Sequence, residues 1–224
     1  MMSALGNLAQ SVESEIRNEI GNTIWEKFHP QTRIGIVTAE VCFREFGTIT
    51  DDFDFSSVIM PIMKALEVEM KSYFYMGYID FLREHYSVAE YMGAVNIKSY
   101  KERNKVLQRA DAIRYCLVTE KTDFTIGNFR YTLGALELRK LHIDKPFLEY
   151  CKQELFQETN CNIDQLSKWL CNLIYDLEPL RRIRNDSAHG GKINNQTDAE
   201  KTLNDLIRVK KILVEIVAPS FLDR

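Results

Sequence analysis

Apolar positions recur in steps of three and four along most of the chain, and no run alternates with period two as a half-buried strand does. The pattern therefore predicts helix almost throughout. Leu5 to Phe28 reads as one helix, ended by His29-Pro30. Thr32 to Phe46 is ambiguous by composition, and helix is favoured because no strand partner lies nearby. The acidic stretch Thr50–Phe55 reads as a loop. Ser56 or Ser57 then caps a long central helix to about His85. Its stripe is Ile59, Ile62, Met63, Leu66, Met70, Tyr73, Phe74, Gly77 and Phe81. With Ser57 as cap, Pro61 falls in the first turn, where proline is tolerated.

Further helices are expected through Cys116–Glu120, Gly127–Leu141 and Pro146–Gln157. The next starts near Asn162 or Asp164 and carries a seam of Leu166, Leu170, Leu173, Leu177 and Leu180. One more step of four lands on Arg184, where a charge at the end of an apolar seam calls for a partner. Pro179 should kink this helix, and Gly190-Gly191 should stop it. Thr197-Asp198-Ala199-Glu200 is a capping-box pattern that opens a last helix burying Leu203, Leu206, Ile207, Leu213 and Val217. The two C-terminal helices are expected to pair antiparallel. The fold class is all-α, a helical bundle. Residues 1–224 form a single domain, with 1–50 set apart as an N-terminal helical extension.

Composition narrows the function classes. The chain has 224 residues, 45% hydrophobic and 27% charged, which suits a soluble protein with a sizeable core. A net charge of −3 argues against gripping nucleic acid over a broad surface. The five cysteines, Cys42, Cys116, Cys151, Cys161 and Cys171, form no C-x-x-C pair and read as free thiols of a cytoplasmic protein. No apolar run is long enough for a membrane span, and the N-terminus lacks the build of a secretory signal. No metal-ligand set, P-loop or Rossmann glycine pattern appears, so neither metal nor cofactor is expected.

One constellation carries chemistry: Arg184-Asn185-Asp186-Ser187-Ala188-His189. An imidazole exchanges a proton near neutral pH, and a guanidinium holds the charge that builds on a phosphate. Together they can cleave RNA without a metal. The spacing alone is weak, because chance supplies about 0.75 such pairs in a chain of this composition. Context adds to it: the apolar seam before it, the amide after the arginine, the small residue before the histidine and the glycines behind. Five residues along a straight helix rotate a side chain by about 140° and climb about 7.5 Å. Arg184 and His189 therefore converge only through a break in the helix or through a second copy of the chain. Asn185, Asp186 and Ser187 compete with helix and make that stretch a candidate break. Against this stands a plain structural role: His189 as a helix C-cap, and Arg184 with its stem along the seam. Arg181 and Arg182 add local positive charge, and Lys98, Lys101, Arg103, Lys105 and Arg109, against Glu102, form the one strongly basic run, with Tyr100 among them. Such a run can follow a nucleic-acid backbone or be a solvated helix face.

The motif resembles the R-x4–6-H motif of the HEPN superfamily (higher eukaryotes and prokaryotes nucleotide-binding). Thr38-Ala39-Glu40, Lys64 to Met70 and Phe124-Thr125-Ile126-Gly127-Asn128 are similar to stretches of long HEPN-like bacterial proteins. The resemblance implies an all-α bundle, dimeric, with the two motifs facing each other. It implies catalytic Arg184, Asn185 and His189; Arg181, Arg182, Lys98, Lys101, Arg103 and Lys105 are the candidate RNA contacts on their charge alone. Members are either metal-independent endoribonucleases of defence and toxin–antitoxin systems or non-cleaving interaction modules. The implied partners are RNA, a second copy, and an antitoxin or defence protein. Asp186 departs from the pattern by placing an acid beside the phosphate site.

Overall fold

The computed structural model describes residues 2–46, 55–97, 118–119, 142–156, 163–188 and 199–219. The fold is all-α. Its helices are α1 (Met2–Ile20), α2 (Asn22–Lys27), α3 (Pro30–Phe46), α4 (Ser56–Met70), α5 (Gly77–His85), α6 (Val88–Ala94), α7 (Lys145–Tyr150), α8 (Ile163–Ala188) and α9 (Ala199–Val217). Two π-helical segments, Lys71–Met76 and Cys151–Leu155, continue α4 and α7. A short antiparallel ladder joins β1 (Val95–Ile97) to β2 (His142–Asp144), pairing Asn96 with Ile143. No strand was expected; three residues a side are too few to show alternation. Two compact units divide the chain: unit 1 is Met1–Glu69 with Pro179–Pro219, and unit 2 is Met70–Glu178 with Ser220–Arg224.

In unit 1 the expected single helix over Leu5–Phe28 is two. Gly21 breaks it with φ 88°, a left-handed conformation that glycine adopts without steric cost. The break turns α2 so that Glu26 pairs with both Arg17 of α1 and Arg33 of α3, the latter at 2.7 Å. Arg44 of α3 pairs with Glu15 of α1 at 2.8 Å. These ion pairs are exposed and screened by water, so they set direction more than stability. Thr32–Phe46 is helical, as favoured, with Thr32, Ile36 and Ala39 inside. Helix α3 lies close on α4 at Gly35, where a Cβ would stand 2.8 Å from both the Ala65 Cβ and the Pro61 carbonyl oxygen. Because α4 begins at Ser56, Pro61 sits in the second turn rather than the first.

The stripe of the long helix starts in unit 1 and slips by one residue in unit 2. Ile59, Ile62, Met63, Leu66 and Met70 are buried as expected before the π-helical segment, and Phe74 is buried within it. Beyond it Tyr78, Ile79 and Leu82 are fully buried, while Tyr73 and Gly77 are only half-buried. The wider π turn absorbs an extra residue and shifts the phase. The expected Pro146–Gln157 helix is α7 with its π-helical continuation, and it closes at Phe156. The regions of Cys116–Glu120 outside 118–119, Gly127–Leu141 and Thr50–Asp54 lie outside the described residues.

On α9 the buried face is Thr202, Leu206, Val209, Lys210, Ile212, Leu213, Ile216 and Val217. Leu203 is 37% exposed and Ile207 half-buried, against expectation. The seam runs one residue earlier at its start because Thr202 and Lys210, two polar residues, belong to it. No described helix is long and apolar enough to cross a membrane.

Candidate functional site

The motif is carried by α8, and its leucine seam is buried as the spacing predicts. Leu166, Leu170, Leu173, Leu177 and Leu180 are all 3% exposed or less. Each such side chain contributes about 1.5–3 kcal/mol by leaving water. The opposite face is open: Asn172, Asp176 and Arg182 are exposed, and Tyr175 is 71% exposed. The helix runs on through Pro179. A proline costs the helix the N–H that would meet the carbonyl four residues back, at the exposed Tyr175, where water can serve it.

The helix also runs unbroken to Ala188, so the expected break at Asn185–Ser187 does not occur there. A ladder already propagating along a well-buried seam outweighs the local hydrogen-bonding preferences of Asn, Asp and Ser. Arg181, Arg184 and Asn185 thus lie on the last turns of a regular helix. In register, Arg184 is the next step after Leu180. From Arg184 to Ala188 a regular helix climbs about 6 Å. His189, Lys98, Lys101, Arg103 and Lys105 lie outside the described residues.

Three titratable residues that periodicity passes over are set into unit 1. Lys210 of α9 is 9% exposed, with its ammonium 3.2 Å from Glu19 of α1 and 3.7 Å from Glu40 of α3. Glu69 at the end of α4 is 3% exposed, and burial pushes its carboxyl above the usual range. Asp205 of α9 has one carboxylate oxygen buried without a hydrogen-bond partner, and burial raises its pKa as well. The signal for Lys210 was present: it lies four residues after Leu206 and three before Leu213, in step with a 206-210-213-217 seam. Glu69 follows Leu66 by three and carries the same signal.

Of the other histidines, His85 stacks on Phe81 at 4.4 Å and serves packing. Cys42 and Cys151, among the described residues, are in no disulfide. Among the described residues, no three His, Cys, Asp or Glu side chains converge as metal ligands. Comparison with known protein families, curated proteins and solved structures yields no match.

Proposed function

We propose that the chain is a cytoplasmic, metal-independent endoribonuclease of HEPN type that works as a homodimer in defence or in a toxin–antitoxin pair. The observation that carries this reading is the run of α8: a buried leucine seam delivers Arg184 at its next register position on a helix that stays regular to Ala188. With no break between Arg184 and Ala188, a second copy becomes the favoured way to assemble two histidines and two arginines in one cleft. A ribose 2′-hydroxyl would attack the adjacent phosphorus, with one His189 taking its proton and the other protonating the leaving 5′-oxygen. Arg184 would stabilise the phosphorane, and Asn185 would orient it or the histidine. The products carry 2′,3′-cyclic phosphate. Arg181, Arg182 and the 98–105 basic run would hold the RNA backbone.

The test is cleavage of labelled RNA by the purified protein. His189→Ala and Arg184→Ala should each lower the rate about 10²–10⁴-fold, and the parent should elute as a dimer. Variants that cut as fast as the parent refute the assignment. The net charge of −3 favours a second reading, a non-cleaving module of the same fold that binds RNA or a protein partner. A dimer without cleavage supports that one.

A further inference from the structure

Helix α3 begins at Pro30, which makes His29 its N-cap residue. The first backbone N–H groups of a helix lack a partner four residues back, and each of them is accounted for at this end. The His29 N–H donates to Glu69 Oε2 at 3.0 Å. Pro30 has no N–H to place. The Gln31 N–H donates to the His29 imidazole Nδ1 at 3.2 Å. The Thr32 N–H donates to the His29 carbonyl at 2.9 Å, and the same carbonyl accepts the first regular helical bond, from the Arg33 N–H at 3.2 Å. The imidazole thus serves as the capping side chain, bonded to the second residue of the helix.

Asn, Asp, Ser and Thr are the usual capping residues, and none of them loses its acceptor near neutral pH. Histidine does. A neutral imidazole has one acceptor nitrogen, whereas an imidazolium has two donors and no acceptor. Proton uptake would turn Nδ1–H against the Gln31 N–H and set a cation at the positive end of a helix.

We propose that His29 is a proton-controlled N-cap that sets where α3 begins. The neutral ring, with its proton on Nε2, holds the Gln31 N–H and closes the first turn. The charged ring releases Gln31, and the helix end frays as far as Thr32. Thr32 stops the fraying, because it is fully buried and donates its hydroxyl to the Ala65 carbonyl at 3.3 Å. The ring itself is half-buried, so it exchanges protons with solvent while the fold stays closed.

Charged groups reach this corner from four helices. Glu69 of α4 couples to the imidazole and gives the charged ring a carboxylate beside it. Arg33 of α3 is engaged by Glu26 of α2 at 2.7 Å, and Arg17 of α1 shares that carboxylate. The cap belongs to unit 1 and is independent of any RNA cleavage by α8.

The experiment is an NMR titration of the full chain, following the ring ¹⁵N shifts of its four histidines beside the Gln31 amide. Neutral His29 is expected as the Nε2–H tautomer, and the Gln31 amide shift should follow the His29 midpoint. Gln31 exchange, corrected for its intrinsic pH dependence, should quicken about 2–30-fold on protonation, the span of a lost cap. His29→Asn supplies a cap that does not titrate, so Gln31 should stay protected at every pH across the His29 window. His29→Ala should leave Gln31 at the unprotected level throughout. A neutral His29 in the Nδ1–H form, or a Gln31 amide that ignores the His29 midpoint, overturns the proposal. So does a Gln31 amide that still titrates in that window in His29→Asn. The tautomer is read on the unaltered protein, so a variant that fails to fold does not shield the proposal.

Discussion

In unit 1, two charged residues, Lys210 and Glu69, are buried at 9% and 3% exposure, each with named partners. In unit 2 the interior is a cluster of rings: Phe74 against Trp169 at 5.9 Å, Phe156 edge-on to Trp169 at 5.8 Å, and Tyr78 edge-on to Phe147 at 5.0 Å. The difference lies in how each unit fixes its register. A helix sliding one residue in unit 1 would strand an ammonium away from its carboxylates, a penalty that grows with burial. Rings tolerate a slide less through charge than through shape, because offset and edge-on geometries are specific. Unit 2 accordingly accommodates a π-helical turn to bring Phe74 and Tyr78 inward together.

The largest effect should come from cutting a ring out of unit 2. Trp169→Ala removes a side chain 6% exposed that touches two other rings, and is expected to cost about 3–5 kcal/mol in urea unfolding. Hydrogen exchange should show the amides of the Lys71–Met76 segment losing protection before those of α1 and α3. Equal loss in both units would dissolve the contrast between them.

Next comes Lys210→Ala. It takes from Glu40, 13% exposed at its side chain, the ammonium 3.7 Å away, while Glu19, 57% exposed, is rescued by water. The expected loss is about 2–3 kcal/mol, below the range for a fully buried pair. Lys210→Met combined with Glu40→Met should recover most of it, because an apolar pair needs no desolvated charge. If the double variant is as unstable as Lys210→Ala, the charges hold the core by more than mutual pairing.

Much of this was legible beforehand, and the exceptions share a cause. The seam of α8 shows because five leucines repeat in one phase over a regular helix. The stripe beyond Met70 does not, because a π-helical turn changes the period while leaving the residue types unremarkable. Gly21 looks like any glycine until its φ of 88° is seen. A polarity rule assigns Thr202 and Lys210 outward, and for Lys210 only the carboxylates of Glu19 on α1 and Glu40 on α3, distant in sequence, reverse it. At the motif, the Asn-Asp-Ser run misleads, because the helix continues through it to Ala188. Its local preferences are a few tenths to about 1 kcal/mol, less than the burial of the seam behind it.

The smallest effect sharpens the comparison most. Tyr150 donates its hydroxyl to the Tyr73 carbonyl at 3.1 Å, from α7 into the π-helical segment. Gly77 makes this reach available, since a Cβ there would collide with the Tyr150 hydroxyl and stand 3.2 Å from its Cζ. Burial pushes the phenol pKa far up, so this donor keeps its proton across any ordinary pH. Tyr150→Phe deletes one hydrogen bond and nothing else of the ring, an expected cost of about 0.5–1.5 kcal/mol. That cost should be the same at pH 5 and pH 8. The cost or gain of Glu69→Gln should differ between those two values, since the raised Glu69 pKa makes the wild-type protein lose stability as pH climbs through it. Thermal unfolding of both variants at both pH values decides it. A pH-independent Glu69→Gln, or a pH-dependent Tyr150→Phe, means that the two units do not differ in the way their buried polar atoms are held.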